Sequence, residues 1–462
     1  VIPFFSPDRQ NFVEYDISYL LDTAITRQKT VVGIMSSLPV MGDDISGYMA
    51  QMLRMQGQQP KSGWGIVEHL RNQYEVKTIA ADTGEIKDID ILLVIHPKDL
   101  PEKTLFAIDQ FVLKGGRTIV CVDPHCFADQ PDQMAMQMGT MPAQNSDLNR
   151  LLSTWGVEMP KNTFAGDRRL ALKASLNPDQ RPEKIIGFLN LVPGCFNTDN
   201  VISAELNQVR VLFPGVLNET EVSDKKEDDV KIERTPILTT SVKGNSWNVS
   251  SPYELMMLNP SHLMETFRDG SKPVTMGYLL TGKFKGSFPD GIEVEVEYED
   301  KNTEEGSAHK KDEDSAEKPK AMKKVTGLAG AEESCVVAVF SDVDFLSDMV
   351  AYQNTFLGRM VVGDNSALLL NTIDVLRGSS DLVSIRSRGN VNRPFIVIDK
   401  IEEQAEMETA EEEAVINAEL SGFQEELSAI LASNDKDEKA VIGSSILQKK
   451  KELELKIHEA KS

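Results

Sequence analysis

Apolar residues at successive positions, without alternation, mark strands covered on both faces. Before residue 130 such runs occupy Val31 to Ile34, Asp90 to Ile95 and Thr118 to Val122, with a shorter strand at Val76 to Ile79. Between them the apolar period lengthens to that of a helix. Trp64, Ile66 or Val67, Leu70 and Tyr74 share one face, and Glu102 to Leu113 predicts a second helix that Gly115 and Gly116 stop. Strand and helix in alternation predict an α/β fold on a parallel, doubly wound sheet. Ligands of such sheets sit beyond the carboxyl ends of the strands. Here those ends carry Ser36 and Ser37, then His96 with Pro97 and Lys98, then Asp123 and His125 around Pro124.

Further along, the texture is mixed. Ser146 to Trp155 predicts a short helix with Ser146 as its cap, and strands are expected at Gln208 to Phe213, Ile237 to Ser241 and Val274 to Leu280. Glu219 to Lys231 reads as a charged loop. Ile292, Val294, Val296 and Tyr298 alternate with glutamates, the pattern of a half-exposed strand. Lys301 to Lys324 then offers almost nothing to bury and is expected to be a flexible excursion. A buried strand returns at Cys335 to Phe340 and ends in Ser341, Asp342, Val343, Asp344 and Phe345, before a helix over Ser366 to Leu376 that Gly378 closes. Beyond Ile398, Phe423, Leu427, Ile430 and Leu431 repeat at helical spacing, and Leu447 to Ile457 resumes it. That thin apolar stripe fits a helical hairpin or coiled-coil arm, or helices lying on their own domain. The expected organisation is therefore a first sheet segment over 1–146, a mixed α+β region over 147–330 with a flexible charged loop at about 300–325, a return to the sheet over 331–395, and a helical arm over 396–462.

Charge narrows the partners. Asp plus Glu number 72 against 49 Lys plus Arg, a net charge of -23, which repels a phosphate backbone and argues against nucleic acid. The same sign disfavours docking on anionic lipid through a broad basic surface. Against that background Arg386, Arg388 and Arg393 form a local basic cluster, suited to a partner's carboxylates, to headgroups, or to salt bridges within the acidic chain itself. No run of about 18 apolar residues marks a spanning helix, and the start has no signal-peptide pattern. The chain begins without Met, so an excised fragment of a membrane-anchored protein is expected.

Candidate chemistry is sparse. Cys121, Cys126, Cys195 and Cys335 are too scattered for a disulfide scaffold; buried thiols are expected, with one bridge left open. No H-E-x-x-H, G-x-x-x-x-G-K-[ST] or G-x-G-x-x-G occurs, so zinc protease, nucleotide-driven motor and dinucleotide enzyme lack their signatures, and no cofactor is expected. Asp123, His125, Asp342 and Asp344 all fall at strand ends. They would converge either as caps and turn-formers or, less simply, on a cation. With Ser36, Ser37 and His96 they make the candidate ligand-binding set. The alternative is a hydrolase using Cys126 or a carboxylate-bound metal in the strand-end cleft. With three Trp and 6% aromatic residues, a glycan-binding module has no dense stacking platform.

Several segments together resemble one family, the gliding-motility auxiliary components of ABC-type transport systems. They are Phe5-Ser6-Pro7-Asp8, Glu14-Tyr15-Asp16, Val32 to Pro39, Trp64, Gly115-Gly116 before Val122-Asp123-Pro124, Asp342 with Asp344-Phe345, Asn371 to Asp374, and Arg386 to Gly389 with Arg393-Pro394-Phe395. The resemblance implies a periplasmic domain with a sheet like those of class I glutamine amidotransferases, followed by helices that lead to a membrane anchor. It also implies permease and ATPase subunits of the transporter as partners. An amidotransferase places a Cys on the turn after the strand at Ile91 to Ile95. That turn reads His96-Pro97-Lys98, so no catalytic residue is expected.

Overall fold

The computed structural model describes residues 17, 29–43, 51–52, 55, 62–130, 143–175, 182–221, 232–251, 253–256, 258–297, 320–355 and 358–378. The chain divides into two compact units, Val1–Val391 and Asn392–Ser462, and every described residue belongs to the first. The helical arm, the cluster Arg386, Arg388 and Arg393, and most of the two charged loops lie outside the described residues.

Seven strands form the central sheet: β1 (Val31–Ser36), β2 (Glu75–Ile79), β3 (Ile91–Ile95), β4 (Arg117–Cys121), β5 (Glu233–Thr239), β6 (Thr275–Gly282) and β7 (Cys335–Phe340), in the order β5-β6-β7-β4-β3-β1-β2. The five strands from β7 to β2 run parallel, and β6 is antiparallel to both β7 and β5. The fold is thus α/β with a mainly parallel sheet.

Why these runs become strands shows in where alternate residues go. Ile91, Leu93 and Ile95 of β3 join the core on one face with Ile66, Val67 and Leu70 of α1 (Gly65–Gln73). Leu92 and Val94 join the core on the other face with Phe106, Ile108 and Val112 of α2 (Glu102–Leu113) and Leu151, Leu152 and Trp155 of α3 (Asn149–Trp155). The last described helix, α4 (Asn365–Arg377), packs Leu368, Leu369 and Ile373 on the α1 side. A strand between two apolar layers has no polar face to show, hence its unbroken apolar run. Gly115 and Gly378, at φ 86° and 92°, end α2 and α4 in the left-handed conformation that glycine adopts without strain.

Three expectations change. First, the sheet is not wholly parallel, because β5 and β6 from the middle of the chain extend it antiparallel along Cys335–Phe340. Pro236 lies on the outermost strand, where a missing N–H costs no ladder bond, and the register shifts between Pro236 and Leu238. The outer margin of β5 is covered: Thr239 N donates to Cys195 O at 2.9 Å, and Asn197 Nδ2 donates to Pro236 O at 2.9 Å. Second, the end of the charged excursion is a strand, Lys320–Val325, paired antiparallel with Ile292–Glu297. Its register sets Lys324 opposite Glu293 and Val325 opposite Ile292, so one pair of opposite charges and one apolar pair face each other across the ribbon. Third, Ser146 caps no helix. Leu148 is the N-cap of α3, and Ser146 Oγ accepts a bond from Asp123 N at 2.9 Å.

The rest of the middle region is antiparallel. Strands Ala171–Ala174, Glu183–Leu191 and Val209–Leu212 form a three-stranded sheet, with a separate small core of Phe164, Ile185, Phe213, Val249 and Leu255 beside it.

Candidate functional site

The carboxyl ends of β1, β3, β4 and β7 meet at one edge of the sheet, because these strands are parallel and adjacent or nearly so. After β1, Ser36 Oγ accepts from Leu38 N at 3.0 Å, closing a tight turn. Ser37 Oγ accepts from Lys98 N at 3.1 Å and donates to Lys98 O at 3.2 Å, tying the β1 tip to the β3 tip. Both serines shape loops.

The β3 tip carries no cysteine and reads His96-Pro97-Lys98. His96 is fully buried there at φ 52°, a left-handed value uncommon for a residue with a side chain, and its backbone N donates to Cys121 O at 3.0 Å. Its Nε2 lies 3.2 Å from Asp129 Oδ2, and Lys98 Nζ lies 2.5 Å from the same oxygen. Burial raises the Asp129 pKa, but bonds from His96 and Lys98 outweigh it and hold the group below the ordinary carboxylate range. His96 Nδ1 has no hydrogen-bond partner among the described residues.

The β4 and β7 tips are built differently. Asp123 Oδ1 accepts from His125 N and Oδ2 from Val343 N, each at 2.8 Å. Asp344 answers in the other direction: Oδ2 accepts from Phe127 N at 2.7 Å, while Oδ1 accepts from Ala128 N at 2.9 Å and from Cys126 Sγ at 3.5 Å. Each loop therefore gives a carboxylate to the other loop's backbone. Asp342 adds a third tie, accepting from Leu212 N at 2.8 Å and Phe345 N at 3.2 Å. Ser341 Oγ donates within reach of Gly215 O at 2.7 Å and Met276 O at 3.0 Å.

Burial dominates the electrostatics of this knot. It raises Asp123 and Asp342 well above the ordinary carboxylate range, with the charge of Asp344 pushing both further. Burial also lifts Asp344 to about 6, against the opposing effect of the Phe127 and Ala128 N–H donors. The Cys126 thiol is raised by burial and then by Asp344. His125, edge-on to Phe127 and Phe213, is lowered to about 4 by burial and is neutral at pH 7.

This arrangement is the reverse of a thiol hydrolase, which needs an imidazole or helix dipole to stabilise thiolate. Here the thiol donates to a carboxylate. All four cysteines are free and buried. Ligand atoms of Asp123, Cys126 and Asp344 lie within 4.8 Å of one another, close enough to share a cation. Yet every oxygen of those two carboxylates already receives a backbone N–H, whose positive end points where a cation would sit. The donor set fits a hydrogen-bonded knot better than a cation cage.

Of the residues singled out from sequence, Asp123, Asp342 and Asp344 come together, with His125 on the same loop through its backbone. Ser36, Ser37 and His96 gather at the neighbouring tip. Asp129, which orients His96, escaped notice: it lies eight residues past β4, in no motif, and only the folded loop brings it to the β3 end.

No solved structure matches the chain. An uncharacterized protein of Borreliella burgdorferi is 21% identical over 285 residues, covering 60% of this chain and 50% of that protein, so the chain spans about half the length of this curated relative. No helix among the described residues is long and apolar enough to cross a membrane. A family model described as an ABC-type uncharacterized transport system matches residues 29–372, from just before β1 into α4, and the chain therefore belongs to that family of ABC transport auxiliary components.

Proposed function

We propose that this chain is a non-catalytic binding component of an ABC-type transport system, which presents the strand-end edge of its sheet to a partner subunit or cargo. The observation that carries the reading is the state of Cys126. The thiol in the loop beyond β4 donates to Asp344 and is held protonated, so it is not an activated nucleophile, and beside it lies a shaped, partly polar surface around Ser37, Lys98 and Asp129. The finer reading follows the resemblance to gliding-motility auxiliary components. The parent protein is anchored in the inner membrane, this domain faces the periplasm, its sheet is amidotransferase-like, and its partners are the permease and ATPase subunits. Arg386, Arg388 and Arg393 serve as a second, basic contact, and the helical arm joins domain to anchor.

The test is capture of the permease and ATPase from native membranes by the full-length parent carrying a photo-crosslinker at Lys98. Recovery of either subunit supports the reading, and recovery of neither at any crosslinker position along the strand-end edge sinks it. A parallel screen on amide and ester substrates addresses the hydrolase alternative. Turnover abolished by both Cys126→Ala and Asp344→Ala would replace the binding role with an enzymatic one.

A further inference from the structure

The two outer strands of the central sheet are not alike. The far side of β5 is met by the segment Cys195 to Asn197, whereas β2 closes the other end of the sheet with β1 as its single neighbouring strand. Glu75 N donates to Thr30 O at 3.0 Å, so the N–H and C=O groups of Glu75, Lys77 and Ile79 face β1, and those of Val76 and Thr78 face outward. Among the described residues, no backbone group bonds to that outward set. Glu75 and Thr78 are exposed and Val76 and Lys77 half-buried, so the outer side of β2 is within reach of another chain.

A lysine on a free outer strand ordinarily repels a second copy of that strand. Here Glu75 stands two residues before Lys77 on the same face, with Lys77 Nζ 3.7 Å from Glu75 Oε1. Read antiparallel about a two-fold axis through Val76, the strand is its own complement: Val76 meets Val76, Glu75 meets Lys77, and Lys77 meets Glu75. The hydrogen-bond parity agrees, because Val76 points its N–H and C=O outward and in this register exchanges both with its counterpart. An axis through Lys77 would set two lysines opposite each other, and one through Thr78 would leave Glu75 and Lys77 without an opposite charge.

We infer that β2 is a docking edge for a second copy of this chain, and that the two copies pair antiparallel with Val76 opposite Val76. Backbone bonds join the two sheets into one. Val76, packed against the α1 side of the core, meets its counterpart there, while the Glu75 and Lys77 pairs form on the other face. Because the strands of the two copies run in opposite directions, their strand-end faces open at opposite ends of the joined sheet. Pairing therefore leaves the face assigned above to a partner free on each copy, and the inference stands without that assignment.

A cysteine introduced on β2 tests the register directly, since all four native cysteines are buried. Opposed residues of an antiparallel hydrogen-bonded pair hold their Cα atoms about 5.5 Å apart, within the span of a disulfide. Mild oxidation of the full chain carrying Val76→Cys should link two copies, whereas Thr78→Cys, which faces Tyr74 of the other copy, should not. Adding Lys77→Glu to Val76→Cys places like charges opposite each other twice and should slow linkage about tenfold. Adding Glu75→Lys as well exchanges the two signs and should restore the original rate. No linkage through Val76→Cys, equal linkage through Thr78→Cys, or a rate indifferent to the charge exchange overturns the pairing.

Discussion

The β1/β3 tips and the β4/β7 tips lie side by side on one edge of one sheet, yet solve the same problem in opposite ways. At the first pair, short polar contacts reach solvent through Ser37, Lys98 and Asp129, while the buried His96 ring meets Asp129 and its Nδ1 has no partner among the described residues. At the second, buried carboxylates are saturated by backbone N–H groups and solvent is excluded. The difference teaches that strand-end acids are not evidence of chemistry by themselves. What matters is whether their lone pairs are free, and here the buried ones are spoken for while the available polarity lies at Lys98, Asp129 and Ser37.

The comparison breaks most sharply at Asp342. Asp342→Ala removes the acceptor of two buried donors, Leu212 N and Phe345 N, and should cost about 2–5 kcal/mol, read as a lowered urea midpoint at unchanged slope. A loss below about 1 kcal/mol would mean that the knot is not the stronger joint. Next comes pH. Asp344 sits above its ordinary value of 3.8, so its contribution is full below that value and is lost as pH rises towards about 6, an effect of order 2–3 kcal/mol. Asp129 sits below its ordinary value, so its contribution is present above about pH 4 and lost as pH falls. Subtracting the stability curves of Asp344→Asn and Asp129→Asn from that of wild type should give slopes of opposite sign; slopes of one sign would erase the distinction between the two tips. His125, lowered to about 4, adds a loss as pH falls from 6.5, which both variants share and the subtraction removes. The smallest effects belong to the open tip. Ser37→Ala should cost no more than about 1 kcal/mol, because solvent can replace its bonds to Lys98. Lys98→Glu should leave the urea midpoint within about 1 kcal/mol of wild type while reducing permease capture several-fold, and equal capture would place the contact elsewhere.

Much of this architecture was legible in the chain. The run at Ile91–Ile95 announces a doubly covered strand, the boundaries of Glu102–Leu113 and Cys335–Phe340 fall where periodicity puts them, and Asp123, Asp342 and Asp344 stand out as strand-end acids. Their purpose was not legible, since it depends on donors far along the chain. Leu212 lies 130 residues from Asp342, and Phe127 lies 217 from Asp344. Periodicity reports what a segment buries, not what it sits beside. For the same reason β5 and β6 read as strands of a separate region although they complete the central sheet. Lys320–Val325 was hidden because its composition is that of a charged loop, and only its register with Ile292–Glu297 makes it a strand. Relation to an ABC transport family came from scattered segments in order, and the family match over 29–372 bears it out.

Pro236 and the strap of Cys195 to Asn197 have a consequence for assembly. An endless stack of copies joined edge to edge needs two receptive margins on every subunit, and β5 offers a proline, a register break and backbone groups already engaged by that strap. Lateral growth through this sheet is thereby closed at one flank, so even crowded copies cannot run on into a ribbon or fibre by that route.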